Sequence, residues 1–496
     1  MNLAVAFSNS VLRSPGKQAI LWGDRAISHA EVSETAGNLA MALEADFGVQ
    51  AGDRVGISLK NCPEFVPAVF GILRIGAVVV PINNFLKPDE ISFILNDCGI
   101  DVLITDTELA ANEPALRARR PSLRVLKLEG WPASAAGAIP PATSQATEHD
   151  LAVIIYTSGT TGHPKGAMLS HGNLLHNVES CRKVLEATGE DRFVVMLPLF
   201  HTYMMTVGLM LPMLTGGSMI LVRSIHPVKN LLQEIHTHHG TILPAIPQFY
   251  RSLTQATVAP GLPLRICLSG AAPLPRQILE EFEAKFGIPL IEGYGLSEAS
   301  PVVCKNPLRG TRKPGSVGPP IPDVEVSIQD ESGKVLGPGE TGELCVRGGN
   351  VMQGYWNNPE ETAKVMRHGW LLTGDIGHRD EDGYFYITDR KKDMLLVNGI
   401  NVYPREIEEV LYQFPGVREA AVIGIPDARR GEQPVAFVAP MEGATLDEKS
   451  MLLFLRARLA DYKVPKRIEA LPALPRNTTG KILKAALRDM RRPSTD

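Results

Sequence analysis

Cysteine is scarce and scattered. The six residues, Cys62, Cys98, Cys181, Cys267, Cys304 and Cys345, include no pair at CxxC spacing. The 496-residue chain therefore shows neither a zinc framework nor a disulfide one, and a reducing, cytoplasmic setting suits it. An excess of charge of one sign is also missing: Lys and Arg number 50, Asp and Glu 54, leaving −4. Without a positive field, nucleic acid is a poor expectation as partner. The N-terminus, MNLAVAFSNSVLR, has no basic residue before its apolar stretch and no long apolar run, so it does not read as a secretory signal. Leu3, Phe7 and Val11 recur at helical spacing instead. A membrane-length apolar run is lacking too. The charge-free stretch from Met204 to Val222 comes nearest, but Pro212 and Gly216-Gly217 divide it into a buried helix, a turn and the strand SMILV. Internal repeats are absent.

Apolar residues make up 44% and charged residues 21%, the balance of an ordinary globular protein, and the length suffices for a large core without staples. From about 50 to 295, strand-like and helix-like patterns alternate. VGISLK precedes FVPAVFGILRIG; AVVVP, PDEISFILNDCG and DVLITD follow; LAVIIYTS, FVVMLP, SMILV, TILPAIP, RICLSG and PLIEGYG come later. Such alternation predicts layered α/β structure on largely parallel sheets. WPASAAGAIPPATSQATEH (131–149) reads as a surface loop. From about 320 the texture changes to short alternating strands, VEVSIQ, ELCVRG and YFYITD, which predict a small barrel or antiparallel sheet. A compact α+β unit begins near 393. It holds the helix PREIEEVLYQF, strands AAVIGI and PVAFVAP, the helix MLLFLRARLADY and a final basic helix.

Chemistry enters at TSGTTGHPKG, directly after an apolar strand. Gly159, Gly162 and Gly166 let the backbone approach a ligand and offer N–H donors, while Thr157, Ser158, Thr160 and Thr161 add hydroxyls for phosphate or magnesium. Lys165 supplies a cation. GxxxxGK[ST] does not occur here, so this is not a Walker loop. The loop resembles the phosphate loop of the adenylate-forming superfamily, which comprises acyl- and aryl-CoA synthetases, peptide-synthetase adenylation domains and luciferases. The remaining family motifs follow in order: LPLFHT, SGAAPL, EGYGLSE, GWLLTGD, DRKKDMLLVNGINVYPREIE and PRNTTGKILK. FLKPDEISFILNDCGIDVLITD is most similar to bacterial fatty-acyl-CoA ligases. The resemblance implies a large N-terminal domain of layered α/β sheets with a small β-rich subdomain (1–389), a hinge (390–392) and a small mobile α+β C-terminal domain (393–496).

The activity so implied joins a carboxylate to CoA. ATP converts the poorly electrophilic carboxylate into an acyl adenylate with release of pyrophosphate; CoA then displaces AMP. Two anions must be held together and charge on the α-phosphate stabilised. By the same resemblance Glu298 ligates magnesium with Thr157, Tyr294 lies on adenine, and Gly270, Ala271 and Ala272 leave room for the base. Gly293, Gly295 and Ser297 complete that turn, while Asp375 takes the ribose hydroxyls and Arg390 the ribose or phosphates. His201 lines the carboxylate and adenylate site. Lys481 bridges carboxylate and α-phosphate during adenylation. Lys392 is the hinge, and Asn398 with Gly399 borders the CoA channel.

Family position lines the acyl pocket with Tyr203, Met204, Val207, Ala245, Ile246, Gln248, Val302, Val303 and Cys304. They are mostly apolar, with no obvious partner for an amine or a second carboxylate. Met205 stands where some long-chain enzymes carry a large aromatic gate. A medium- or long-chain fatty acid is expected, with a cinnamate- or benzoate-type acid as alternative. Loading of a carrier protein in trans is a further alternative, and a degenerate nucleotide-binding sensor is the non-enzymatic one. Asp389, Ser297, Leu372 and Thr479 depart mildly from frequent family residues without removing a required charge or hydroxyl. Peripheral membrane contact and a monomeric or homodimeric state stay open.

Overall fold

The computed structural model describes residues 1–131, 143–157, 164–225, 227–256, 261–427, 429–476 and 482–491. Ser158, Gly159, Thr160, Thr161, Gly162 and Lys481 lie outside the described residues, as does most of the surface loop expected over 131–149.

An eight-stranded sheet runs in the order Val302–Lys305, Leu290–Gly295, Ile266–Ser269, Ile242–Ala245, Arg192–Val195, Ser218–Leu221, Gln18–Trp22, Arg25–Ser28. Its interior pairs are parallel, and only the two edge strands run antiparallel. A seven-stranded sheet includes Leu151–Thr157 and Lys165–Ser170, the antiparallel pair flanking the phosphate loop. Helices cover the sheets as alternation demands. Phe65–Arg74 is buried along its apolar length, and Phe70 stacks on Phe7 at 4.0 Å between centroids. That contact uses the N-terminal helix Leu3–Arg13, whose Leu3, Phe7 and Val11 are all buried. Ser170 caps the helix His171–Leu185 through a reciprocal bond with Asn173.

The segment after Met204 differs from expectation in one respect. It is a π-helix over Met204–Met210 that passes into the α-helix Leu211–Thr215. Pro212 has no N–H for the Gly208 carbonyl four residues earlier, which favours the wider turn. Gly216 then turns the chain with φ +77° into Ser218–Leu221. Among the described residues no helix is long and apolar enough to cross a membrane.

The small β unit is a five-stranded antiparallel sheet. GWLLTGD forms part of its longest strand, Trp370–Arg379, where Asp375 stands opposite Arg390 of Phe385–Arg390. From Leu395 onward a second five-stranded sheet carries helices Pro404–Tyr412 and Glu448–Arg456, with its own apolar cores around Val422 and Phe437. The mixed α/β architecture follows the pattern read from the sequence.

Candidate active site

The carboxyl ends of three neighbouring parallel strands converge. Ala245 and Ile246 close Ile242–Ala245; Gly270, Ala271 and Ala272 follow Ile266–Ser269; Gly293 to Glu298 end Leu290–Gly295 and continue into a short 3-10 turn. Open α/β sheets bind ligands at this edge. The Gly270 N–H donates to the Ala245 carbonyl at 3.2 Å. Ala271 adopts φ +65°, a left-handed backbone that costs a non-glycine residue free energy and clusters at functional sites.

Beside this edge lies a fixed polar cluster. Tyr294 Oη donates to Asp375 Oδ2 at 2.5 Å, and Arg390 Nε pairs with Asp375 Oδ1 at 3.0 Å. Asp375 is 3% exposed. Burial and the neighbouring carboxylate push the Tyr294 phenol far above its usual range, while Asp375 holds the Arg390 guanidinium above its own. An anionic carboxylate with two oxygens fixed in this way can accept from a vicinal diol.

Glu298 follows on the same turn. Its Oε1 accepts from Tyr355 Oη at 2.8 Å, and its carbonyl accepts from Met352 N–H at 2.8 Å. Lys165, at the base of the phosphate loop, sits 5.4 Å from the centre of the Tyr355 ring and pairs with Glu361. Thr157 Oγ1 reaches the Lys165 carbonyl at 3.4 Å. Tyr355 thus joins the loop base to Glu298. Among the described residues there is no group of three or more His, Cys, Asp and Glu that could hold a metal. Glu298 and Thr157 would offer one oxygen each to a magnesium carried on phosphates, which takes only one or two protein oxygens.

His201 is tied to the same turn through its neighbours: Thr202 and Ser297 hydroxyls lie 2.8 Å apart, and Thr206 Oγ1 donates to the Ser300 carbonyl at 2.9 Å. His201 Nδ1 accepts from Tyr203 N–H at 3.3 Å, so the neutral ring carries its proton on Nε2. The Tyr203 ring covers Gly270, where a Cβ would stand 3.3 Å from it. Met204 and Val207 are buried. Asn177 pins Val302 by accepting from its N–H at 3.2 Å and donating to its carbonyl at 2.7 Å; Val303 and Cys304 are fully buried. Burial pushes the Cys304 thiol well above its usual range.

The C-terminal unit docks over this edge. Gln248, placed in the acyl pocket by resemblance, donates to Glu419 Oε1 across the seam at 3.3 Å. Arg251 donates to the Val417 and Arg418 carbonyls at 2.9 and 2.8 Å. Asp389 accepts from its neighbour Arg390 N–H at 2.7 Å and from Arg405 N–H, in the first turn of Pro404–Tyr412, at 2.9 Å. The mild departure at 389 therefore accepts from the first turn of the helix Pro404–Tyr412. Glu292 is fully buried, accepts from Leu274 N–H at 2.9 Å, and has Arg405 and Glu409 nearby across the seam; burial pushes its carboxyl up to about 7. Lys392 is exposed, and its ammonium is lowered first by partial desolvation and then by Arg390. Asn398 and Gly399 make a hairpin turn with φ +53° and +78°. Both are exposed, and among the described residues no hydrogen bond joins them to Tyr294, Glu298 or Asp375.

Sequence reasoning missed Tyr355, Glu292, Arg251 and Lys305. Tyr355 lies in GYW, outside the motifs. Lys305 carried a signal, a lysine directly after the apolar VVC, that could have been weighed.

A family model described as AMP-binding enzyme matches residues 7–356, and one described as AMP-binding enzyme C-terminal domain matches 406–481. The long-chain-fatty-acid–CoA ligase of Bacillus subtilis (strain 168) is 37% identical, covering 97% of this chain and 93% of that protein. A feruloyl-CoA synthase from an Amycolatopsis species is 38% identical, covering 96% of each. Among solved structures, ATP-bound MatB from Rhodopseudomonas palustris superposes with a TM-score of 0.92 at 37% identity, covering 99% of both chains.

Proposed function

The chain belongs to the AMP-binding enzyme family and is an acid–CoA ligase acting through an acyl adenylate, and we propose that its acid is a medium- or long-chain fatty acid. The observation that carries the nucleotide part is the Tyr294–Asp375–Arg390 cluster beside Glu298. ATP, magnesium and CoA are its co-reactants. Asp375 accepts both ribose hydroxyls, and the Tyr294 ring stacks on the base. Arg390 steadies the ribose or phosphate oxygens. Gly159, Thr160, Thr161 and Gly162 with Ser158 cradle the β- and γ-phosphates, and Lys165 adds a cation at the loop base. Glu298 and Thr157 would hold magnesium, which would supply positive charge against the phosphates. His201 presents its Nε2 proton to the carboxylate oxygens as the acyl–phosphate bond forms and pyrophosphate leaves.

The fatty-acid reading is supported by the apolar residues Met204, Val207, Val302 and Val303 and by the Bacillus relative. The feruloyl-CoA synthase relative favours an aryl acid as second reading. A panel of fatty and aryl acids with ATP and magnesium, with and without CoA, separates them. The fatty-acid reading fails if aryl acids exceed fatty acids in kcat/KM by about tenfold, about 1.4 kcal/mol in the transition state. Thioester formed only on a carrier protein would favour carrier loading. Free buried thiols and the absence of a membrane-length helix among the described residues support a cytoplasmic setting.

The division into 1–389, a hinge at 390–392 and 393–496 is part of this reading. Adenylation uses one orientation of the C-terminal domain, with Lys481 at the phosphates; thioester formation uses another, with Asn398 and Gly399 lining the CoA path. Lys392→Pro fixes φ at the pivot. One half-reaction is expected to fall at least tenfold more than the other when adenylation and thioester formation are timed separately. Equal losses in a folded variant would argue for a static site.

A further inference from the structure

Lys305 is the last residue of Val302–Lys305, a strand buried throughout. It pairs in register with Gly293 on the next strand. A Cβ at position 293 would stand 3.1 Å from the Cys304 carbonyl oxygen and 3.6 Å from Lys305 Cγ, so the lysine stem runs alongside that position at ordinary contact distance. The adjoining strand ends at Gly270, covered in turn by the Tyr203 ring at 3.3 Å. Two side chains, one aromatic and one cationic, thus lie over two neighbouring glycines at the carboxyl edge of the sheet. The helix His171–Leu185 faces the same strand: Asn177 holds Val302, and Cys181 comes one turn later. Val302 stands opposite Gly295 and Lys305 opposite Gly293, so Lys305 shares a face of this strand pair with Val302, one of the acyl-pocket residues of the reading above.

Its ammonium has no hydrogen bond or ion pair with any described residue, and no carboxylate stands among its electrostatic neighbours. Lys305 is only 8% exposed. Burial lowers it to about 8, which still leaves it mostly cationic at neutral pH. A buried ammonium without a counter-ion is costly, and such groups are ordinarily paired. Asn306 N–H donates to the Glu292 carbonyl at 3.0 Å and Lys305 N–H to the Pro319 carbonyl at 3.0 Å, so the backbone is fixed and the charge cannot swing out with a loop.

We propose that Lys305 determines specificity by pairing with a second carboxylate on the acid, remote from the one that is activated, so that the preferred substrates are α,ω-dicarboxylic acids. This rests on the acid–CoA ligase reading and narrows its acyl class. The apolar lining holds the methylene chain, and the lysine replaces the water that the far carboxylate gives up.

The test compares matched pairs: hexanoate with adipate, octanoate with suberate, decanoate with sebacate. AMP and thioester are read for the full-length enzyme and for Lys305→Met. The parent is expected to favour the diacid at one length or more by about tenfold in kcat/KM, and Lys305→Met to lower that ratio about thirtyfold or more. Binding is read separately, as the shift in Tm on adding sebacate without ATP, expected for the parent and lost in the variant. If Lys305→Met does not fold, Lys305→Gln keeps a donor while removing the charge, and the same ratio and shift are measured. Equal use of diacid and monoacid at every length, a preference for 4-hydroxycinnamate over all diacids, or equal loss of both pair members in the variant overturns the proposal. If no acid yields AMP, the ligase reading itself has failed, and the sebacate shift still decides the role of Lys305.

Discussion

Lys481→Ala is expected to lose adenylation from acid and ATP by about 10²–10³ while converting supplied acyl-AMP and CoA to thioester at nearly the parent rate. Adenylation brings a carboxylate against an α-phosphate, and the transition state gathers further negative charge on that phosphorus centre. An ammonium placed there stabilises the transition state more than the separated anions, so its loss appears in kcat. On either side of Lys481, Arg476 and Ile482 face each other across an antiparallel bridge, and Lys484 pairs with Glu408 at 2.8 Å. After acyl-AMP forms, the remaining chemistry is attack by a thiol, for which the proposed second domain orientation would no longer need Lys481. Each half-reaction is timed separately on purified variant, with circular dichroism for folding. If thioester formation falls as far as adenylation, the one-step role is wrong. If neither falls, the assignment of Lys481 is wrong.

Asp375→Ala is expected to raise KM for ATP about 10- to 150-fold, since hydrogen bonds to a charged acceptor are worth about 1.5–3 kcal/mol. The aspartate lies in mid-strand with its N–H held by Thr373 Oγ1 at 3.1 Å, so the loss reflects the missing carboxylate rather than a moved backbone. Tyr294 Oη and Arg390 lose their partner at the same time. Deoxyadenosine triphosphate lacking the 2′-hydroxyl provides the internal control. The parent should discriminate against it strongly and Asp375→Ala hardly at all, because the group that reads the hydroxyl is already gone. A variant that still discriminates as the parent does would mean that Asp375 does not read the ribose.

Much of this was readable in advance because alternation of strand and helix leaves a strong pattern. Strands such as Val78–Pro81 and Val102–Thr105 are buried on both faces and appear in the sequence as unbroken apolar runs. The motif order led to Asp375, Arg390, Glu298 and Tyr294, which the fold brings into one neighbourhood from distant positions. Local reading failed where tertiary contact decides. Tyr355 bonds Glu298 only because Gly354–Tyr355 adds an edge to the strand Lys165–Ser170. The partner of Asp389 is a helix N–H sixteen residues on, and no pattern announces that contact. Lys305 was passed over because a lysine at a strand end usually reaches water, whereas here the strand is buried to its last residue.

On the two-orientation reading proposed above, the burial of Glu292 at the seam couples domain docking to protonation. With the C-terminal unit docked, the carboxyl titrates near 7, raised chiefly by burial despite Arg405. Once water reaches it in the undocked arrangement, it returns toward its ordinary value near 4.5. Between those two values the docked enzyme holds a proton that the undocked enzyme releases, so docking takes up as much as one proton. This stabilisation is fully present at low pH and is lost as pH rises through about 7. On that same proposed reading, with the docked arrangement taken as the adenylating one, alkaline conditions favour undocking, and the ratio of thioester formation to adenylation should climb between pH 6 and 8. Glu292→Gln, which cannot titrate, should flatten that climb; a climb of unchanged steepness would detach the proton from the motion. The enzyme would then sense acidity through the balance of its two half-reactions rather than through any group that touches the reacting atoms.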